Sequence, residues 1–351
     1  MSTFLTELRH AWRSLLQRKA YFLTCAATLA LVLGANAAIF AVVNATLLRP
    51  MPFATSGEVL QLFDQPPGTT AALQRNPLQQ MDVARLRESA RTLSRIEGFL
   101  LSERVITRND RPDVAQGAAV TPGLLPMLAA PIAQGRAFLE SEGGPGQFVA
   151  VIADRYWRDT LGAGNVLGSS LVIDGQPHTI VGILAPSFRV PFVDAAIYTP
   201  LYVNPEAGPR APPKSVVSLA ELAPGVTIEQ AREELAAIGR QMSQEYPRTH
   251  TGWTYGAVTA REWQYGSIRP ALLMLFAATV LVLLIACVNI ANLTSAHALA
   301  RSGELSLRLA LGATRADVLR MLLAELLIVS ASGLIPGLLL ASSAVPALLA
   351  I

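Results

Sequence analysis

Three runs free of Asp, Glu, Lys and Arg, Ala20 to Leu48, Ala271 to Ala300 and Leu326 to Ile351, limit what this chain can fold into. Each exceeds the roughly 20 residues that a helix needs to cross about 30 Å of hydrocarbon. Buried helices of soluble proteins rarely run this long without charge. Composition points the same way: 52% of the 351 residues are apolar and 15% are charged, too few for a wholly water-facing surface. The first run is too long for a cleaved signal peptide, and no small-residue cleavage site follows it. The expected fold class is membrane α-helical, with three transmembrane helices and an α+β extracytoplasmic domain between the first two.

Flanking charge sets the expected orientation. Residues 1–19 carry Arg9, Arg13, Arg18 and Lys19 against Glu7 alone, and Arg301, Arg308, Arg315 and Arg320 cluster after the second run. By the positive-inside tendency both clusters are cytoplasmic, so residues 49–267 lie outside. Within residues 1–19, Phe4, Leu5, Leu8, Trp12, Leu15 and Leu16 recur at helical spacing among the arginines. This predicts a cytoplasmic amphipathic helix on the membrane surface, or an extension of the first span. The spans are then 20–48, 268–294 and 318–351.

The external segment alternates strand-like and helix-like stretches. Val59 to Phe63 reads as a strand, and Asn76-Pro77 offers an N-cap and first-turn proline for a helix to about Ile96. Strands are expected at Leu101 to Thr107, Val114 to Val120 and Phe148 to Ala153, with a short helix after Thr121-Pro122. Asp154 is a candidate cap for a helix carrying Tyr156 and Trp157. Asp174-Gly175 between Ser170 to Ile173 and His178 to Leu184 signals a hairpin. The Pro-rich stretch Pro205 to Pro213 reads as a connection. Val216 to Leu222 resumes strand character. Thr227 and Gln230 form a capping box for a helix to about Tyr246, and Trp253 to Ala260 is a last strand. Two α+β subdomains are expected, the inner one at about 146–200, with the first and last parts pairing near the membrane.

Residues 295–317 connect the second and third spans. Leu305, Leu309 and Leu311 can hold a helix against the membrane or a partner, and Glu304 and Arg308 stand at i and i+4. Gly312 can end that helix, and Thr314 with Asp317 can start the next. Spacing alone leaves open a capped connection or a docking element.

Several chemistries lack their residues. The two lysines, Lys19 and Lys214, complete no GxxxxGK[ST] loop, so ATP hydrolysis is expected in a partner chain. His10, His178, His250 and His297 form no metal-ligand motif, and no cofactor is indicated. Glu140, Glu142, Asp154 and Asp194 read as solvated carboxylates, with no nucleophile elbow to suggest catalysis. Cys25 and Cys287 read as small buried apolar residues. The net charge of +3 includes no basic stripe interleaved with aromatics, so nucleic-acid binding is not expected. Within the spans, Asn36, Asn44, Asn289 and Asn292 need hydrogen-bond partners from other helices. The lack of midspan charge argues against ion-coupled transport.

The stretch ELSLRLALGATRADVLRMLLAE, with the order amphipathic helix, span, large external domain, span, resembles the MacB/FtsX-type ABC transporter permeases. VAVIADRYWRDTLG, GSSLVIDGQPHTIVGILAPSF and LAPGVTIEQAREELAAI resemble the MacB-like periplasmic core domain. The resemblance implies an inner-membrane permease subunit that transmits the motion of a separate cytoplasmic ATPase to the external domain, for export or extraction of a substrate. It also implies a second permease copy, as dimer or pseudo-dimer, and a periplasmic adaptor. The family's ATPase-coupling segment carries over onto Arg301, Glu304, Arg308, Gly312 and Arg315. The alternatives are an FtsX-like signalling or scaffold protein that regulates an external enzyme, and a membrane-anchored external enzyme. Two departures stand out. A fourth span is apparently missing after the third, as in one half of a larger duplicated permease, and Gly303 interrupts the coupling helix at a cost of about 1 kcal/mol relative to alanine.

Overall fold

The computed structural model describes residues 19–48, 58–69, 75–108, 111–188, 195–204, 206–207, 215–300, 302–311 and 314–349. The expected amphipathic helix before Lys19, and most of the Pro-rich stretch, lie outside the described residues. The chain begins with α1 (Lys19–Val43), which continues into a π-helical turn, Asn44–Leu48. Next come β1 (Val59–Gln65), α2 (Gln80–Ser89), β2 (Leu93–Arg108) and β3 (Arg111–Val120). They are followed by α3 (Leu124–Met127), β4 (Ile132–Gly135), a 3-10 turn at Glu140–Gly143, β5 (Val149–Ile152) and α4 (Asp154–Asp159). Four strands come next: β6 (Ser170–Ile173), β7 (Gln176–Leu184), β8 (Ile197–Pro200) and β9 (Val217–Leu222). The domain closes with α5 (Ile228–Glu245), α6 (Pro247–His250), β10 (Thr254–Thr259) and α7 (Ala260–Tyr265). The long helices α8 (Arg269–Ala300) and α10 (Arg315–Leu349) flank the short α9 (Ser302–Ala310). Two compact units result, a helical one from both chain ends and an α+β one from Pro50–Gly266.

The α+β unit is built on one ten-stranded sheet of order β10-β1-β9-β2-β3-β8-β5-β7-β4, with β6 pairing β2 and β7. The first and last strands are neighbours: β1 runs antiparallel to β10 from Leu60↔Thr259 to Gln65↔Thr254. One face is covered by α2 and α5, which bury Leu60, Leu62, Leu86, Leu235 and Met242 in a common core. Gly239 lets α5 approach closely, because a Cβ there would stand 3.1 Å from the Tyr255 nitrogen. A second core gathers Phe99, Val120, Leu125 and Phe138, and a third holds Ile106, Ile152, Leu171 and Ile180.

Several local expectations are corrected. Asn76 caps no helix: its backbone exchanges hydrogen bonds of 3.0 and 3.1 Å with Asp64, which keeps it extended. The helix begins instead at Gln80, where the Asp82 carboxylate accepts the Gln79 N–H at 3.2 Å. It stops at Ser89, and Ile96 lies in β2 paired with Ala220. β2 is one long strand because β9 pairs its first half and β3 its second. Asp154 lies inside α4 and Ala153 takes the cap position, while the Asp154 carboxylate accepts both bonds of 2.9 and 3.0 Å from Arg158 Nε.

The hairpin forms as expected. Asp174 and Gly175 have φ of 50° and 78°, the paired positive angles of a tight two-residue turn. Pro177 pairs with Val172, one position beyond the hydrogen-bonded pair Ile173↔Gln176, where the antiparallel alternation asks no N–H of it. Asp174 is held in its left-handed conformation by β2: its carboxylate accepts Val105 N–H at 2.9 Å and Arg104 Nη1 at 2.8 Å. The capping box at Thr227 and Gln230 is also present, with bonds of 2.9 and 3.3 Å.

In the helical unit, three stretches are long and apolar enough to cross a membrane: Lys19–Leu48, Arg269–Ala296 and Val318–Ser343. Leu273, Met274, Leu281, Leu284 and Ile285 point outward, as hydrocarbon permits. Cys25 is buried, whereas Cys287 is exposed on α8, contrary to expectation. The third stretch also carries Glu325, 8% exposed, near its start.

Helices α1 and α10 meet backbone to backbone. A Cβ at Gly333 would lie 2.5 Å from Leu29 Cβ, one at Gly337 2.9 Å from the Ala30 oxygen, and one at Gly34 3.0 Å from the Gly337 oxygen. Small residues four apart permit such an approach, and van der Waals contact replaces the hydrophobic drive that lipid does not provide. Replacing Gly333 or Gly337 by valine should therefore cost about 1–3 kcal/mol through overpacking. Thermal unfolding in detergent should show both variants melting several degrees below the parent; unchanged midpoints would refute the close contact.

Candidate functional site

The connection between α8 and α10 is a short helix with its own ends. Leu311 N–H closes α9 on the Leu307 oxygen at 3.0 Å, and Val318 N–H reaches the Thr314 oxygen at 3.3 Å as α10 begins. Glu304 and Arg308 lie one turn apart on α9, and Arg315 is the first residue of α10. Arg301 and Gly312 lie outside the described residues, as does the Glu304–Arg308 side-chain pair. Gly303 does not break the helix; it sits in the first turn of α9, where an added Cβ would meet nothing within 4 Å. Leu307 and Leu311, one turn apart, are 62% and 79% exposed.

The four intramembrane asparagines fall into distinct settings. Asn36 Nδ2 donates to the Val32 oxygen on its own helix and to the Thr279 oxygen on α8, both at 3.0 Å. Asn44 opens the π-helical turn after α1. Asn289 and Asn292 are exposed on α8 and line, with Thr24, Cys25 and Thr28 of α1, an open groove of about 540 Å³. The structure adds a polar contact that hydropathy conceals, Tyr21 OH to Thr294 Oγ1 at 3.0 Å. The spacing of Ala26, Ala30 and Gly34, and of Gly333 and Gly337, is the signal from which the α1–α10 contact could have been read.

The family profile described as MacB-like periplasmic core domain matches residues 22–238, and that of the FtsX-like permease C-terminal region matches residues 276–350. The chain belongs to the MacB/FtsX-type permease family. Among curated proteins it is similar to the pyoverdine export ATP-binding/permease protein PvdT of Pseudomonas entomophila, 26% identical over 224 residues. The Pseudomonas aeruginosa PvdT is 23% identical over 223 residues. Each match covers 60% of this chain and 32% of the relative, so the chain matches about a third of their length. Among solved structures, the periplasmic region of MacB from Actinobacillus actinomycetemcomitans matches with a TM-score of 0.44 and 11% identity, over 60% of this chain and 92% of that one. A domain of a putative permease from Porphyromonas gingivalis matches with a TM-score of 0.46 and 13% identity, over the same shares.

Within the periplasmic core domain of this permease, the carboxylates singled out in the sequence have mostly local partners. Glu142 accepts both Arg136 nitrogens at 2.7 and 2.8 Å, and this pairing holds its carboxyl below the usual range. Asp154 pairs with Arg158, Glu140 is exposed, and Asp194 lies outside the described residues. Among the described residues, no three His, Cys, Asp or Glu side chains converge as metal ligands.

A buried polar cluster escaped the sequence reading because its members are far apart in the chain. Asp82 Oδ1 accepts Tyr255 OH at 2.8 Å and stands 3.0 Å from His250 Nε2. Burial, then the charge of Asp82, pushes the Tyr255 phenol upward. Asp64 lies in the same region, 4% exposed, with its Oδ1 lacking any hydrogen-bond partner. Burial raises its carboxyl to about 7, with the Asp82 charge adding and the Asn76 side chain opposing.

The sign follows from linkage. The folded protein holds a proton on Asp64 between the ordinary carboxylate range and about 7. This group's contribution to stability is therefore fully present at about pH 3 and lost as pH rises to about 7. Asp64→Asn should stabilise the domain by about 1–3 kcal/mol at pH 8 and leave it nearly unchanged at pH 3.5. Melts followed by tryptophan fluorescence across that range check this; a constant difference between the two proteins would exclude Asp64 as the titrating group.

Proposed function

We propose that this permease is the membrane-spanning partner of a cytoplasmic ABC ATPase, and that it conveys ATP-driven motion to its periplasmic core domain for export or extraction of a substrate. The observation that carries the reading is α9. It is a nine-residue helix set between two long apolar helices, with Leu307 and Leu311 exposed and Glu304 and Arg308 one turn apart. Exposed leucines beside charged positions suit a partner that buries the apolar groups and answers the charges. The relatives' name joins ATP binding to permease, and this sequence contains no phosphate-cradling glycine loop with its lysine. ATP hydrolysis is therefore assigned to the partner.

The reading includes a cytoplasmic N-terminus, in keeping with the two arginine clusters, and a second permease copy as dimer or pseudo-dimer. Asn289 and Asn292, exposed on α8, support a further helix contact, because amides facing hydrocarbon gain from interhelical hydrogen bonds. A periplasmic adaptor belongs to the same proposal. Motion without a central channel belongs to the same proposal; the charged residues of the third membrane-length stretch, Arg320 and Glu325, lie toward its start.

Co-purification from the native membrane should recover an ATPase with the solubilised permease. Reversing charge with Arg308→Glu and Arg315→Glu should reduce that recovery about tenfold or more. Gly303→Ala serves as a fold control that strengthens α9 by about 0.5–1 kcal/mol and leaves recovery intact. Full recovery in both charge variants would defeat the coupling assignment. ATP-dependent movement of a labelled compound into vesicles distinguishes export from signalling alone.

A further inference from the structure

The periplasmic core domain contains a polar cleft of about 440 Å³ where the end of α2, the start of β2 and the segments after β3 and β8 converge. β3 and β8 run parallel, from Gly117↔Ile197 to Val120↔Pro200, so the carboxyl ends of both strands open into it. Four charges meet there: Arg87, Arg95, Glu97 and Glu140.

These charges are not equally engaged. Arg87 donates through Nε to the Ile96 oxygen at 2.8 Å and reaches Glu97 Oε2 at 3.5 Å. Glu97, whose side chain is 14% exposed, also accepts from Thr121 Oγ1. Its seat is tight, because a Cβ at Gly123 would stand 2.2 Å from its Oε1. Burial raises the Glu97 carboxyl above its usual range, against the Thr121 hydrogen bond and the Arg87 charge. Among the described residues, Arg95 and Glu140 make neither an ion pair nor a hydrogen bond through their side chains, and both are exposed at the cleft.

We propose that this cleft binds a small zwitterion, a molecule carrying a carboxylate for Arg95 and an ammonium or guanidinium group for Glu140. Its volume falls in the range of small-molecule sites, and one free group of each sign selects a ligand that carries both. A neighbouring cleft of about 290 Å³ shares Tyr202 with it and is a poorer candidate. There Arg104 and Asp174 already neutralise each other at 2.8 Å. Half-buried Glu97, with Arg87 bonded to it and to the Ile96 oxygen, acts as a positioning residue that fixes the floor between the two free charges. Binding here requires neither the ATPase nor transport, so it can fail or hold independently of the coupling reading.

Isothermal titration of the full chain in detergent micelles tests the site. The probes are L-arginine and triglycine, which carry groups of both signs, with agmatine (cationic groups alone) and acetate (a carboxylate alone) as single-sign controls. Both zwitterions should bind saturably below about 10 mM, and the controls about tenfold more weakly. Arg95→Gln and Glu140→Gln should each weaken zwitterion binding about three- to tenfold without shifting the melting temperature, since both side chains are exposed. Glu97→Gln keeps the shape of the floor and should alter the pH dependence of binding more than its strength at neutral pH. No saturable binding by either zwitterion, equal binding by the controls, or parental affinity in both surface variants would overturn the proposal.

Discussion

The antiparallel pairing of β1 with β10 is the constraint on which the periplasmic domain depends. The chain leaves one apolar helix, builds about two hundred residues of mixed structure, and must return to enter the next. Pairing Leu60 with Thr259 sets the entry and the exit of that excursion on adjacent strands at one end of the ladder. β9 completes the other side of β1, so the first strand is interior to the sheet and buried along most of its length. The Asp82, His250 and Tyr255 contacts then tie α2 to the segments just before and within β10, bracing the same junction from the helix side. A load applied at either end of the domain thus meets strands held by several parallel hydrogen bonds and a shared apolar core.

The helical unit solves a different problem. Lipid tails are as apolar as leucine, so burying leucine between helices gains little over leaving it outside. Specificity has to come from close approach and from polar groups that lipid cannot satisfy. Gly34, Gly333 and Gly337 supply the first between α1 and α10, and Asn36 supplies the second between α1 and α8. The two devices use different faces of α1, which makes that helix the common partner of the other two.

Sequence reading recovered what is governed by local chemistry. The long uncharged runs, the Asp174-Gly175 turn and the Thr227 to Gln230 capping box each rest on residues within a few positions of one another, and each forms. It failed where a distant partner decides the outcome. Asn76-Pro77 looks like a helix start until Asp64 claims its backbone, and residues 93–96 look helical until β9 pairs with them. The buried Asp82 cluster and the Arg95, Glu97 and Glu140 cleft assemble residues from separate elements, so no short motif announces them. The proposed coupling residues were legible only through family resemblance, because charge spacing on α9 is equally that of an ordinary solvated helix.

In the proposed mechanism the helices must be stiff where they carry motion and compliant where they receive it. Close approach of α1 and α10 at Gly34, Gly333 and Gly337 satisfies the first requirement, since there is no room there for an added side chain that could absorb a displacement. Gly303 meets the second: an unencumbered glycine in the first turn of α9 lowers the cost of bending between α8 and the docking surface at about 1 kcal/mol of helix stability. What first looks like a flaw in the coupling helix is therefore consistent with a hinge. The same reasoning separates binding from transmission within the periplasmic domain. The zwitterion cleft opens at the start of β2 and the carboxyl ends of β3 and β8, while β1 and β10 hold the ends of the domain, and β9 lies between the two sets. A ligand can occupy the one without disturbing the hydrogen bonds of the other.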